Sequence, residues 1–256
     1  MGPPTDVRTR HSPSRRVRLV VPAQHGAWAM LLVPYLLGTL AAGWTVAAVP
    51  LLAVWLLGYV FSYSALMALR VRRRDRFVRS ARAAALVAVP FLAWLLVLRP
   101  WVVLVAPAFV PMALVNVHYA RAHDERAWVN GLASVTQACL LVPLAFAVGD
   151  GTDWARAVAL FAIAWLYFAG SVFYVKTMIR ERGEPAYLRA SLVFHAGAAL
   201  IVSVVSPWLT VLFAWFLTRA VFLPWLARRR TVRPVQVGLV EIVNTTLLVV
   251  VGLLVT

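Results

Sequence analysis

Residues 46–76 read VAAVPLLAVWLLGYVFSYSALMALRVRRRDR: 24 positions without a charge, then five arginines within seven residues. A helix rises about 1.5 Å per residue, so roughly 20 apolar residues cross the hydrocarbon of a bilayer. The run is long enough to span, and the arginines mark where it leaves the apolar layer.

The rest of the 256-residue chain has the same character. It is 62% hydrophobic and 13% charged, with a mean hydropathy of +0.82. A soluble domain carries about 25% charge, so the composition excludes one, and a net charge of +16 excludes an acidic disordered chain. Marking the apolar runs predicts an all-α polytopic bundle of about nine membrane helices, over 26–43, 46–69, 82–98, 101–119, 129–148, 155–177, 187–205, 208–227 and 237–255. Gly43 with Trp44, Arg99 with Pro100, Gly149 to Asp153 and Ser206 with Pro207 supply tight connections. The single Cys139 leaves no intramolecular disulfide.

Positive residues alternate from loop to loop. The N-terminal arm, the 70–82 loop, Arg121 with Arg126, the stretch from Lys176 to Arg189 and Arg228 to Arg233 hold nearly all of them; the opposite set holds Arg99 and Arg156. The positive-inside rule therefore predicts a cytoplasmic N-terminus, a C-terminus outside and a cytoplasmic membrane location. Residues 1–20, rich in Pro, Ser and Arg, read as a disordered cytoplasmic arm, and 21–256 as a single membrane domain. The arginine runs lack interleaved aromatic residues, so they point to anionic membrane lipids and not to nucleic acid.

Polar residues inside spans are expensive and mark candidate sites. They concentrate in the cytoplasmic halves, which predicts a cavity open on that side and closed outside. Arg126, Asn130, Ser134 and Gln137 form one helical stripe, and Met112, Asn116, Tyr119 and His123 another that could face it. Ser134 and Gln137 fit interhelical hydrogen bonding as well as ligand contact. His25, Asn116, Asn130, Lys176, Arg180 and His195 are the candidate substrate-binding residues. Lys176 is the only lysine among 24 arginines. Arg219 and Glu241 lie about 12 and 7 Å inside neighbouring spans, as an ion pair or as coupling residues.

The segments PAQHGAWAMLLVPYLLG (22–38), HYARAHDERAWVNGLA (118–133) and YFAGSVFYVKTMIRERG (167–183), followed by Ser191 and His195, carry a family likeness. The chain resembles the YwiC-like family of bacterial integral membrane proteins, which implies the bundle but brings no established activity. A looser architectural likeness is to UbiA-type intramembrane prenyltransferases, with nine spans and a cytoplasm-facing site. Those enzymes hold magnesium diphosphate with two Asp-rich motifs, whereas the loops here offer only Asp75, Glu181 and Glu184, so no metal site is expected.

Three function classes follow. The first is a cavity for an anionic amphiphile, a lipid or isoprenoid phosphate, with UbiA-like group transfer as its enzymatic form; it predicts that the six candidate residues share one pocket. The second is an ion or metabolite transporter coupled through Arg219 and Glu241. The third is a non-catalytic membrane assembly or quinone-binding protein. The residues alone assign no cofactor.

Overall fold

The computed structural model describes residues 19–20, 25–180, 183–230 and 234–256, and the side chains of these except at 25, 26, 179, 180 and 234. The described residues are helices joined by short turns, without a strand. In order they are α1 (His25–Ala42), α2 (Ala48–Arg70), α3 (Asp75–Leu98), a 3₁₀ segment (Pro100–Phe109) running into α4 (Val110–Arg121), α5 (Trp128–Cys139), α6 (Leu141–Val148), α7 (Trp154–Val175), a π turn (Lys176–Arg180), α8 (Pro185–Ser203), α9 (Pro207–Arg229) and α10 (Pro234–Val255). Among the described residues eight stretches are long and apolar enough to cross a membrane, and α1 adds a shorter apolar helix. The chain is a multi-pass membrane helix bundle.

Proline chemistry sets the irregularities. Pro143 has no N–H to offer the carbonyl of Cys139, and the fifth span divides there into α5 and α6. The fourth span, with Pro100, Pro107 and Pro111, starts as 3₁₀ turns before becoming α-helical. At the first turn, Gly43 adopts φ +97°, a conformation that side-chain-bearing residues rarely take. The third span corrects the sequence reading. α3 begins at Asp75 and not at 82, because the arginines of its first turns are helical although they are not apolar, and Asp75 favours the positive end of the helix dipole. The arm predicted over 1–20 lies outside the described residues apart from Leu19 and Val20, whose Val20 N–H donates to Ser80 Oγ at 2.9 Å.

α7 runs through the middle of the bundle, against α1, α5, α6, α8 and α10. Its Leu160, Ile163, Ala164 and Phe168 pack with Leu37, Val135, Leu212, Phe216 and Leu248 in the main core. A second core joins Tyr35 and Leu141 to Ala48, Leu51 and Leu95 on the α2–α3 hairpin. α1 shows only one narrow stripe outward, Leu32, Leu36 and Leu40, four residues apart. Outward positions elsewhere are aliphatic as well: Val97, Leu104 and Val204 are 80%, 78% and 87% exposed, as a surface facing lipid requires.

The arginine-poor end is tied together by polar contacts. Arg99 Nε donates to the Val148 carbonyl at 3.2 Å and its guanidinium pairs with Asp150, while Arg156 donates to the carbonyls of Ala41 and Leu253. Three turns and the last helix are thereby held in register. At the arginine-rich end the Arg70–Glu125 ion pair joins the end of α2 to the loop before α5.

Candidate functional site: a polar cavity and a separate buried ion pair

A cavity of about 360 Å³ lies between α1, α2, α4 and α5. The Arg70–Glu125 pair lines it at the arginine-rich end. Trp55, fifteen residues before Arg70 on α2, lies about 22 Å along the helix axis from it and closes the far end, its Nε1–H donating to the Leu31 carbonyl at 3.2 Å. Trp55, Tyr59 and Tyr63 repeat every four residues, so one face of α2 gives the cavity an aromatic wall.

The opposite wall comes from α4 and α5, where Asn116 of one predicted stripe meets Ser134 and Gln137 of the other; His123 and Arg126 lie beyond the helix ends, and Met112 and Tyr119 do not line the cavity. Asn116 Nδ2 donates to Gln137 Oε1 at 3.1 Å, and the Ser134 hydroxyl lies 3.0 Å from Asn116 Oδ1 and 2.9 Å from the Asn130 carbonyl. Asn130, only 9% exposed, donates through Nδ2 to the Glu125 carbonyl at 2.9 Å. That donation fixes its amide, and its Oδ1 is left without a donor. Apart from Arg70 and Glu125, the lining carries no formal charge. The wall is thus a set of carboxamides and hydroxyls facing aromatic rings, suited to orienting an uncharged polar group in an apolar surround.

His195, Arg219 and Glu241 assemble elsewhere, between α7, α8, α9 and α10. Arg219, 4% exposed, pairs with Glu241 Oε1. Tyr167 and Ser171 donate their hydroxyls to Glu241 Oε2 at 2.9 and 3.2 Å. The guanidinium carbon lies 4.4 Å from the centre of the Tyr174 ring. His195 Nε2 lies 3.4 Å from Arg219 Nη2, and since arginine can only donate, Nε2 is the acceptor. Nδ1, 2.7 Å from the Ser191 carbonyl, then carries the proton. Gly170 makes the approach possible: a Cβ there would stand 3.0 Å from His195 Nε2.

The structure therefore divides the six candidate residues. Asn116 and Asn130 share the cavity; His195 belongs with Arg219 and Glu241 in the second cluster. Lys176 opens the π turn, is 9% exposed, and places its ammonium 5.6 Å from the Tyr187 ring centre, away from the cavity. The side chains of His25 and Arg180 lie outside the described residues. Sequence reasoning reads Arg70 only as part of a charged loop and does not single out Trp55, Glu125, Tyr167 or Ser171. The signal for the last two was present, because Tyr167, Gly170, Ser171 and Tyr174 follow the i, i+3, i+4, i+7 spacing of one helix face. Among the described residues no group of three or more His, Cys, Asp or Glu could hold a metal ion.

A family model described as "YwiC-like protein" matches residues 21–146, which contain all four helices around the cavity. The chain is similar to "Uncharacterized protein YwiC" of Bacillus subtilis (strain 168), 30% identical over 233 residues, or 89% of this chain and 94% of that one. It is similar to an "Uncharacterized protein" of Haemophilus influenzae, 30% identical over 246 residues, or 94% and 100% of the two chains. No solved structure matches it.

Proposed function

The chain belongs to the YwiC-like protein family, and on that premise we propose that it binds a membrane amphiphile, of lipid or isoprenoid type, in the cavity between α1, α2, α4 and α5. The observation that carries this reading is the lining: a chain of neutral hydrogen-bonding side chains buried beside an aromatic wall, inside a membrane bundle, with a volume of about 360 Å³ in the range of ligand sites. The anionic head group expected from sequence keeps a place only at the Arg70 end. There Arg70 stands next to the loop bearing Arg72, Arg73 and Arg74, while no cation lines the cavity further in. Carboxamides and hydroxyls bind and orient without exchanging protons at neutral pH, so the reading is one of binding.

The test is native mass spectrometry of protein purified in mild detergent. Ser62 lines the cavity from an exposed position, so Ser62→Trp fills it without disturbing the core; Ser203→Trp is the exposed control on α8. Wild type and Ser203→Trp should retain a co-purified lipid or isoprenoid adduct that Ser62→Trp loses. An adduct kept by Ser62→Trp overturns the assignment.

We further propose, from the distribution of arginine, that the Arg70 end of the cavity lies on the cytoplasmic side of a bacterial inner membrane. Native Cys139 is fully buried and leaves a low labelling background. A membrane-impermeant maleimide should then label Thr152→Cys in intact cells and Arg72→Cys only after lysis. The reverse pattern would show the opposite orientation.

A further inference from the structure

The hydrogen bonds along the cavity wall have two possible arrangements. In one, the Ser134 hydroxyl donates to Asn116 Oδ1, Asn116 Nδ2 donates to Gln137 Oε1, and the Gln137 amide leaves its N–H groups for the cavity. Ser134 has a second acceptor, however, the Asn130 carbonyl at 2.9 Å. Once its hydroxyl turns to that carbonyl, Ser134 Oγ can accept. The Asn116 amide then turns over and donates to Ser134, the Gln137 amide turns over and donates to Asn116 Oδ1, and Gln137 Oε1 becomes the free group. Amide nitrogen and oxygen are nearly isosteric, so the heavy atoms hardly move. The first arrangement holds two of these hydrogen bonds and the second three, because the single Ser134 proton reaches the Asn130 carbonyl only in the second. The Asn130 side chain, anchored on the Glu125 carbonyl, does not turn. The wall thus offers an acceptor or a donor at Gln137, with the acceptor favoured by one neutral hydrogen bond.

From this we infer that the bound head group is one whose polar atom alternates between carbonyl and hydroxyl, a quinone and its hydroquinone, held against the aromatic face of Trp55, Tyr59 and Tyr63. This rests on the amphiphile reading and names its ligand class. A carbonyl requires a donor and a hydroxyl offers its proton to an acceptor; a fixed polar wall would prefer one form strongly, because the mismatched form leaves a polar group unpaired. A reversible wall binds both. Flat rings also suit an aromatic wall, where stacking adds to burial.

The experiment measures binding of a decyl-substituted benzoquinone and, under reducing conditions, its hydroquinone, to protein in nanodiscs by quenching of tryptophan fluorescence. Wild type should bind both forms, the hydroquinone up to about tenfold more tightly, since presenting the donor to a quinone gives up one neutral hydrogen bond. Gln137→Glu places an acceptor-only carboxylate at the end of the chain and should weaken the quinone by roughly tenfold or more relative to the hydroquinone. Gln137→Met removes the contact and should weaken both forms together. A difference above tenfold between the forms in wild type, an unchanged ratio in Gln137→Glu, or failure of both probes to bind overturns the inference. If Ser62→Trp still loses its native adduct in that event, the amphiphile reading stands without the quinone; if it keeps the adduct, both fall.

Discussion

Glu241→Ala is expected to destabilise the bundle by about 3–5 kcal/mol, the cost of leaving a buried charge without its partner. Arg219 has 2% of its side chain exposed, and the groups around it cannot replace the carboxylate: the rings of Tyr174 and Tyr167 offer only their faces, and His195 Nε2 is a neutral acceptor. Arg219→Met should cost less. Glu241 has 16% of its side chain exposed and retains the hydroxyls of Tyr167 and Ser171. The double variant Arg219→Met with Glu241→Leu should recover most of the loss, because apolar replacements remove both desolvation penalties. Thermal unfolding in nanodiscs measures all three. A Glu241→Ala protein as stable as wild type would mean that water or another group already neutralises Arg219. A structural lock and a coupling site separate here as well: the double variant should keep the cavity's native adduct, since no atom of this cluster lines the cavity.

Gly38→Ala should be nearly as damaging although it adds only one methyl group. Its Cβ would run into the Val142 carbonyl oxygen and come to 2.9 Å from the Ala145 Cβ and 3.0 Å from the Phe146 nitrogen. Two of these three atoms are backbone, so relief requires α1 and α6 to move apart, at about 1–3 kcal/mol or more for such overpacking. The cavity should suffer too, because Ala27, Met30 and Leu31 of α1 line it and would shift with the helix. Gly58, on α2, is the control: a Cβ there meets nothing within 4 Å, and Gly58→Ala should be neutral or stabilising by about 0.5–1 kcal/mol through helix propensity. Equal melting temperatures for Gly38→Ala and wild type would show that the α1–α6 contact is looser than described.

The helices were legible because hydrocarbon imposes a simple rule: an apolar stretch of sufficient length, ended by Gly, Pro or charge. The rule fails where a helix continues through charged residues, as over Asp75–Arg82, and where an apolar stretch is not one regular helix, as at Leu140 and in the 3₁₀ turns before Val110. Half of the site was legible for a related reason. Periodicity gives the face on which a residue lies, so the Asn116 and Ser134–Gln137 stripes could be matched before their contacts were seen. Periodicity and depth do not give which helices are neighbours. His195 sits at a depth compatible with the cavity, yet α8 packs on α7 and α9, on the far side of the bundle from α2. Arg70 and Glu125 were obscured because a pair across two loops has no local pattern.

The position of α1 bears on how the protein is made. The helix synthesised first packs on α6, α7 and α10, and Arg156 ties its last turn to the Leu253 carbonyl near the end of the chain. Its backbone notch at Gly38 is filled by residues more than one hundred positions later. During translation the ribosome must therefore produce most of the polypeptide before α1 meets the surfaces it is shaped for. In the interval, α1 has α2 and then α5 to lean on. The arrival of α6 and finally of α10 is what gives the helix its full set of packing partners.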